Sequence, residues 1–329
     1  MRKGQNAGSV STSKQDSGMH KKRKTKRKPV TIVVMGPTGS GKTSFINTAS
    51  GSELRVGLGL ESSTENIQKS NTFPLDEYDV TLVDTPGFDD TNISDVDILA
   101  LIAKYLADEF ENRRQISGVI YLHRITDNRM GGTALRNFRM FKELCGGPAL
   151  ANTAIVLNMW NEVNEGIRSA RKNELVSKDN FFKPAVTAGA KVLTHDNTVD
   201  SAYAVLRHLA TRRPRPLLIQ TELVSRKKQL CETSAGAALL GDLVKREQRQ
   251  AEQLRDMQKE IEEAIRKKDE EDRRELEEAR RKVDETRRHL LSQQQRMKPV
   301  KPVGVRAQRN RRRRLFRGLL CVTSDNLET

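Results

Sequence analysis

The stretch that most limits what this chain can fold into is Gly36-Pro37-Thr38-Gly39-Ser40-Gly41-Lys42-Thr43, an uninterrupted match to G-x-x-x-x-G-K-[ST]. The β-branched run Val30 to Val34 precedes it and reads as a buried strand, and Ser44 to Ala49 follows as a helix start. Strand, glycine loop and helix in that order are the context in which this motif cradles phosphate. Glycines let successive backbone N–H groups converge on an oxyanion, and the helix N-terminus adds a partial positive charge. The residues expected around a nucleotide are therefore Gly36, Pro37, Thr38, Gly39, Ser40, Gly41, Lys42, Thr43 and Ser44. Lys42 is expected to reach the β- and γ-phosphates, and the Thr43 hydroxyl to hold Mg²⁺.

Further along, Asp79-Val80-Thr81-Leu82-Val83 reads as a second buried strand ending in Asp84-Thr85-Pro86-Gly87. A strand-terminal Asp beside the phosphate loop can hold Mg²⁺ through water, and the Gly87 N–H can sense a γ-phosphate and order the segment after it. The polar, glycine-spotted residues 51–71 read as a loop that closes over the ion. Thr64 is the expected ligand there, with Ser62 and Ser63 as rivals. Phe88 stands where a Ras-type switch has a water-positioning Gln. Phe cannot make that hydrogen bond, so hydrolysis is expected to be slow or to use another group: Asp89, Asp90, Thr91, or an Arg from a second subunit.

Apolar spacing predicts a helix over 94–111, a strand over 117–122, a loop at 127–132, a helix over 133–144 and a strand over 153–157. Alternation of this kind requires a mostly parallel central sheet covered by helices on both faces, an α/β fold. The fourth strand ends in Asn158-Met159-Trp160-Asn161, where guanine-nucleotide proteins usually carry N-K-x-D. Guanine offers two adjacent donors that a carboxylate can accept together. Asn158 keeps the first position, but Asn161 gives only one acceptor, with Glu162 as a substitute and Trp160 as a stacking surface. Lys191–Thr194 is the expected last strand, and Gly189-Ala190-Lys191 and His195-Asp196-Asn197 compete as the final base-side loop. His195 reads as a surface or loop residue. Ser201–Leu209 is the expected closing helix, and Arg212-Arg213-Pro214-Arg215-Pro216 breaks it.

Four segments follow: a basic tail at 1–28, the nucleotide-binding domain at 29–211, a helical extension at 217–297 and a basic tail at 298–329. The extension carries an apolar stripe at Leu240, Leu243, Leu254, Met257, Ile261 and Ile265, interrupted at 266–275 and resumed at Leu276, Ala279, Val283 and Leu290. Its heptads are imperfect, so both a coiled coil and a lone helix held by i,i+4 charge pairs fit. The net charge of +16 sits wholly in the two ends: residues 1–30 carry +9 and residues 298–329 carry +7. Such tails suit an anionic membrane surface or RNA, and the first also suits nuclear targeting. Cys145, Cys231 and Cys321 are too far apart in sequence for a metal-spaced pair or a disulfide framework, which points to a reducing intracellular, cytoplasmic setting. Cys321 lies beside a short apolar run and could carry a palmitoyl group.

Taken together, Gly36–Thr43, Asp84-Thr85-Pro86-Gly87-Phe88-Asp89-Asp90-Thr91, Asn128-Arg129-Met130-Gly131-Gly132 and Met159-Trp160 resemble fungal G-domain proteins. These are similar to the immunity-associated GTPases, the chloroplast-envelope import receptors and, more distantly, septins. The resemblance covers about residues 29–235 and implies a P-loop G domain that binds GTP or GDP with Mg²⁺. It also implies weak hydrolysis and nucleotide-dependent dimers or scaffolds. On that reading Lys42, Thr64 and Gly87 serve catalysis, Thr43, Thr64 and Asp84 surround the metal, and Asn158 and Asn161 face the base. Either a nucleotide-controlled switch or an assembly and membrane-tethering protein with nucleotide between two G domains fits. Pairing of two copies through the G domain or the helical extension is expected in the second case.

Overall fold

A computed structural model describes residues 27–55, 66–90, 93–266 and 270–296, with the backbone alone at 264, 265, 270 and 271. The described strands are β1 (Lys28–Met35), β2 (Gln68–Lys69), β3 (Phe73–Leu75), β4 (Tyr78–Asp84), β5 (Gly118–Arg124), β6 (Thr153–Asn158) and β7 (Lys191–Thr194). The described α-helices are α1 (Lys42–Ser50), α2 (Asp95–Glu111), α3 (Gly132–Cys145), α4 (Gly147–Leu150) and α5 (Glu165–Ser177). They continue with α6 (Lys183–Thr187), α7 (Val199–Ala210), α8 (Leu218–Gln220), α9 (Ser234–Arg266) and α10 (Glu270–Arg296).

Strands β4, β1, β5, β6 and β7 lie side by side in that order and run parallel, while β2 and β3 pair antiparallel with β4. Side chains of a strand alternate between faces, and both faces here are apolar. On β1, Val33 and Met35 enter one core while Val30, Ile32 and Val34 enter the other. Strand β6 divides in the same way, with Ile155 and Leu157 against Ala154 and Val156. Helices α2 and α3 cover the first face through Leu99, Ile102, Phe138 and Phe141, and α1 and α7 cover the second through Phe45, Ile46, Val205 and Leu209. Strand β1 has neighbours on both sides, β4 and β5. Connections diverge from such a central strand and open a crevice at its C-terminal end. Met35 ends β1 there, and the glycine loop follows.

After α7 the chain stays against the sheet domain. Leu217 and Ile219 are buried in the first core, and the Gln220 amide donates to the Leu106 carbonyl at 2.9 Å. The buried Glu222 accepts from Lys228 at 2.8 Å and from the Ser234 N–H at 3.0 Å, which fixes the start of α9. A Cβ at Gly236 would lie 1.9 Å from the Leu230 carbonyl oxygen, so only glycine permits that approach of backbone to backbone. Helix α9 then buries Leu239 and Leu243 in the same core, and Arg139 of α3 pairs with Asp242 at 2.8 Å. Helix α10 returns antiparallel along α9, pairing Arg287 with Glu247 at 3.2 Å and burying Leu290. At its end Arg296 meets Asp97, in the first turn of α2, at 2.7 Å.

The apolar stripe of the extension therefore serves a hairpin within one chain. Leu243, Leu254, Ile261 and Leu290 are buried, Leu240, Met257, Leu276, Ala279 and Val283 are half-buried, and the Ile265 side chain lies outside the described residues. The break in the stripe at 266–275 contains the end of α9 and the start of α10. Among the described residues no helix is long and apolar enough to cross a membrane.

Candidate nucleotide site

The loop between β1 and α1 is shaped by close backbone approaches. Gly41 sits immediately before α1 with φ +88°, a left-handed conformation that side chains other than glycine resist. A Cβ there would also lie 2.3 Å from the Asn158 amide nitrogen. That amide donates to the Ser40 carbonyl at 2.8 Å, tying the end of β6 to the loop. Asn158 Oδ1 in turn accepts the Met159 N–H at 2.8 Å. Ser40, Lys42, Thr43 and Asn158 are all buried, Pro37 and Thr38 are half-buried, and Gly39 is exposed.

The Lys42 ammonium lies under the loop and donates to the carbonyls of Gly36 at 3.1 Å and Pro37 at 3.0 Å. Burial pushes its pKa down to about 8, against the opposing charges of Asp84 and Asp90. Thr43 donates its hydroxyl to Asp84 Oδ2 at 2.6 Å. The other carboxylate oxygen, Oδ1, is buried and has no hydrogen-bond partner among the described residues. Burial raises the Asp84 pKa, opposed by the Thr43 hydrogen bond, the Lys42 charge and the Thr85 N–H. A hydroxyl and a carboxylate with an unpartnered oxygen are hard-oxygen ligands of the kind Mg²⁺ takes. Thr64, Ser62 and Ser63 lie outside the described residues.

The Asp84–Gly87 segment is clamped to the loop from the other side. Thr38 N–H donates to the Phe88 carbonyl at 3.2 Å, and Thr85 donates its hydroxyl to the Val34 carbonyl at 2.8 Å. A Cβ on Gly87 would come within 2.5 Å of the Thr38 nitrogen and 2.8 Å of Lys42 Nζ. The Phe88 side chain is buried in the first core. Asp89 is held by Arg136 at 3.6 Å, and its N–H donates to Asp95 Oδ1 at 2.9 Å. The charge of Asp90 reaches Lys42, and Thr91 lies outside the described residues.

At the other end of the crevice, β6 and β7 are in register from Ala154↔Lys191 to Leu157↔Thr194. His195-Asp196-Asn197 therefore emerges beside Asn158–Asn161, while Gly189-Ala190 lies before β7, at the opposite end of the strand. The Trp160 N–H donates to the His195 carbonyl at 3.0 Å. Asn161 donates to Asp196 Oδ2 at 3.4 Å and accepts from Arg168 at 3.1 Å. Glu162 is exposed. Trp160 is faced by the cations of Arg168 and Lys172, at 5.2 Å and 5.7 Å from its ring. His195, read from the sequence as a surface or loop residue, is in a loop but only 1% exposed. Its Nδ1 shares a 2.7 Å hydrogen bond with Ser201, its ring meets Phe45 edge-on at 4.9 Å, and burial lowers its pKa to about 4.

Two residues near this site carry no motif. Asp196 brings a carboxylate to Asn161, where the expected N-K-x-D acid is missing. Hydrogen bonds from Thr198 and Ser201 hold its pKa down to about 2, so it is ionised at neutral pH. The sequence offers its loop as one of two candidates, and the β6–β7 register selects it. Arg124, at the end of β5, brings its Nη1 to within 3.2 Å of a Cβ built on Gly39 and pairs with Asp127 at 3.1 Å. Its one sequence signal is a cation closing an apolar strand.

Residues 31–144 match the family model described as 50S ribosome-binding GTPase. Solved structures similar to the chain include Toc33 from Arabidopsis thaliana in complex with Mg²⁺ and GMPPNP, at 17% identity and TM-score 0.44, over 61% of this chain and 86% of that one. The G domain of the T. maritima FeoB iron transporter is similar at 15% identity and TM-score 0.36, over 56% and 99% of the two chains. Translation elongation factor SelB from Methanococcus maripaludis is similar at 13% identity and TM-score 0.37, over 57% and 35%.

Proposed function

We propose that this chain, whose central sheet and phosphate loop have the G-domain fold, is a Mg²⁺-dependent GTP-binding switch with slow GTP hydrolysis. The observation that carries the reading is the meeting of Gly87, Lys42, Thr43 and Asp84 in one crevice at the end of β1. Lys42 neutralises phosphate charge, and the loop N–H groups bind phosphate oxygens. Thr43 and Asp84 hold Mg²⁺, with Thr64 as the proposed third ligand; the bound ion neutralises charge on the phosphates. Gly87 is the γ-phosphate sensor. Burial of Phe88 leaves position 88 with no group to orient water, which supports slow turnover. Asp196 accepts the two guanine donors in place of the absent acid at Asn161, and Asn158 joins that end to the phosphate loop.

A panel of GTP, XTP and ATP affinities with and without Mg²⁺ tests the proposal. The expected order places GTP first, with Mg²⁺ strengthening triphosphate binding. Equal affinity for ATP overturns the guanine reading, and absence of any triphosphate binding overturns the site.

The same burial of Phe88 favours a second reading, in which a group from another copy completes hydrolysis and nucleotide is held between two G domains. Size-exclusion measurements with GDP and with a non-hydrolysable GTP analogue separate the two. A mass that doubles with the analogue supports assembly, and an unchanged mass removes it.

A further inference from the structure

We propose that the cleft between α3 and α9 is a second anion site, separate from the phosphate loop, that takes a small molecule carrying several phosphate groups. The cleft is open to solvent and has a volume of about 700 Å³, in the range of small-molecule pockets. Arg136, Arg139 and Lys142 line it from α3, and Lys245, Arg246 and Arg249 line it from α9. Spacings of three put Arg136, Arg139 and Lys142 on one face of α3, and on α9 Arg249 lies one turn from both Lys245 and Arg246. Cations thus line both walls of a concave space, and those left without a carboxylate partner repel one another.

The carboxylates of the cleft are already engaged. Asp242 is paired with Arg139 at 2.8 Å, and Asp179 with Lys183 at 2.9 Å. Arg136 is taken by Asp95 at 3.5 Å and Asp89 at 3.6 Å. Among the described residues, Lys142 pairs only with its sequence neighbour Glu143, at 3.7 Å. Among the described residues, Lys245, Arg246 and Arg249 have no carboxylate within ion-pair distance. Leu239 and Leu243, buried just before them, fix α9 against the sheet domain, so its cations cannot withdraw by moving the helix. A multivalent anion relieves the repulsion from both walls at once. Arginine forks match phosphate oxygens in pairs, and lysines add point charge, so phosphate is the favoured chemistry. Soluble polyphosphates and phosphoinositide headgroups share it.

The test uses the full chain saturated with GDP and Mg²⁺, in about 0.15 M salt to screen diffuse attraction. Inositol hexakisphosphate and tripolyphosphate are titrated calorimetrically. In parallel, phosphatidylcholine vesicles with and without phosphatidylinositol bisphosphate are floated with the protein. One high-affinity soluble anion per chain is expected, weakened roughly tenfold or more by combined Lys245→Gln, Arg246→Gln and Arg249→Gln. These three side chains are exposed, so circular dichroism and GDP affinity are expected to stay unchanged. Lys142→Gln, on the facing wall, must weaken binding as well. Vesicle binding that falls with the same substitutions supports a lipid-borne ligand, and a response of the soluble probes alone supports a free one. Unchanged anion affinity in both variants assigns binding to the basic tails and overturns the proposal, as does absence of binding to every probe.

Discussion

An ammonium buried as deeply as that of Lys42 loses its hydration, and the two carbonyls it meets return only part of that free energy. Its position under the loop makes sense if phosphate completes its surroundings. Lys42→Ala is expected to weaken Mg·GTP binding by about 100-fold, ~3 kcal/mol, in a fluorescent-nucleotide titration. Unchanged affinity would refute the pocket. Asp196 makes a sharper claim about the base. Asp196→Asn replaces an acceptor of two donors with a mixed group that can donate to the xanthine oxygen. The GTP-to-XTP affinity ratio is expected to fall by roughly 100-fold, with Mg²⁺ dependence retained. The phosphate end was legible from the sequence because its residues are contiguous in a loop. At the other end the choice between Gly189-Ala190-Lys191 and His195-Asp196-Asn197 stayed open, because Asp196 and Asn161 meet only through the pairing of β6 with β7.

Four of the five parallel strands could be read from their apolar runs, since a strand covered on both faces has little choice of residue, whereas β7 is a half-buried edge strand. The helices α2, α3 and α7 could be read from their spacing for the same reason. The stripe of α9 and α10 left its partner open, because an apolar seam records that it is covered and not by what. Here it is covered by the other arm of the hairpin and by the helices α2 and α3. Leu290 reports on this docking. Leu290→Ala is expected to destabilise by about 2–4 kcal/mol through the lost contacts and the cavity left behind. Thermal unfolding should show a midpoint lower by roughly 5 °C or more, against a small change for the exposed Val244→Ala. Equal effects of the two would mean that α10 does not pack as described. The short segment from Leu217 to Thr233 was also illegible as a clasp, since its burial depends on α2 and α3 far away in sequence.

Buried imidazoles make the fold sensitive to acid. His123 and His195 are nearly inaccessible, and burial lowers the pKa of each, that of His195 to about 4. Below the ordinary histidine value near 6.5 the unfolded chain takes up protons that the native chain refuses. Their stabilising contribution is thus complete above about pH 6.5 and is lost as pH falls toward about 4. The unfolding midpoint should decline through that window, and less steeply in His195→Gln. A flat profile would show that the rings are not held neutral.

The pairing of Arg296 with Asp97 joins positions 199 residues apart. Translation delivers the helix that receives this contact long before the one that makes it. While a ribosome is still adding the turns of α10, the strands can assemble, but the greasy groove that will seat Leu290 stays uncovered. A nascent chain of this design is most prone to sticking just before α10 emerges.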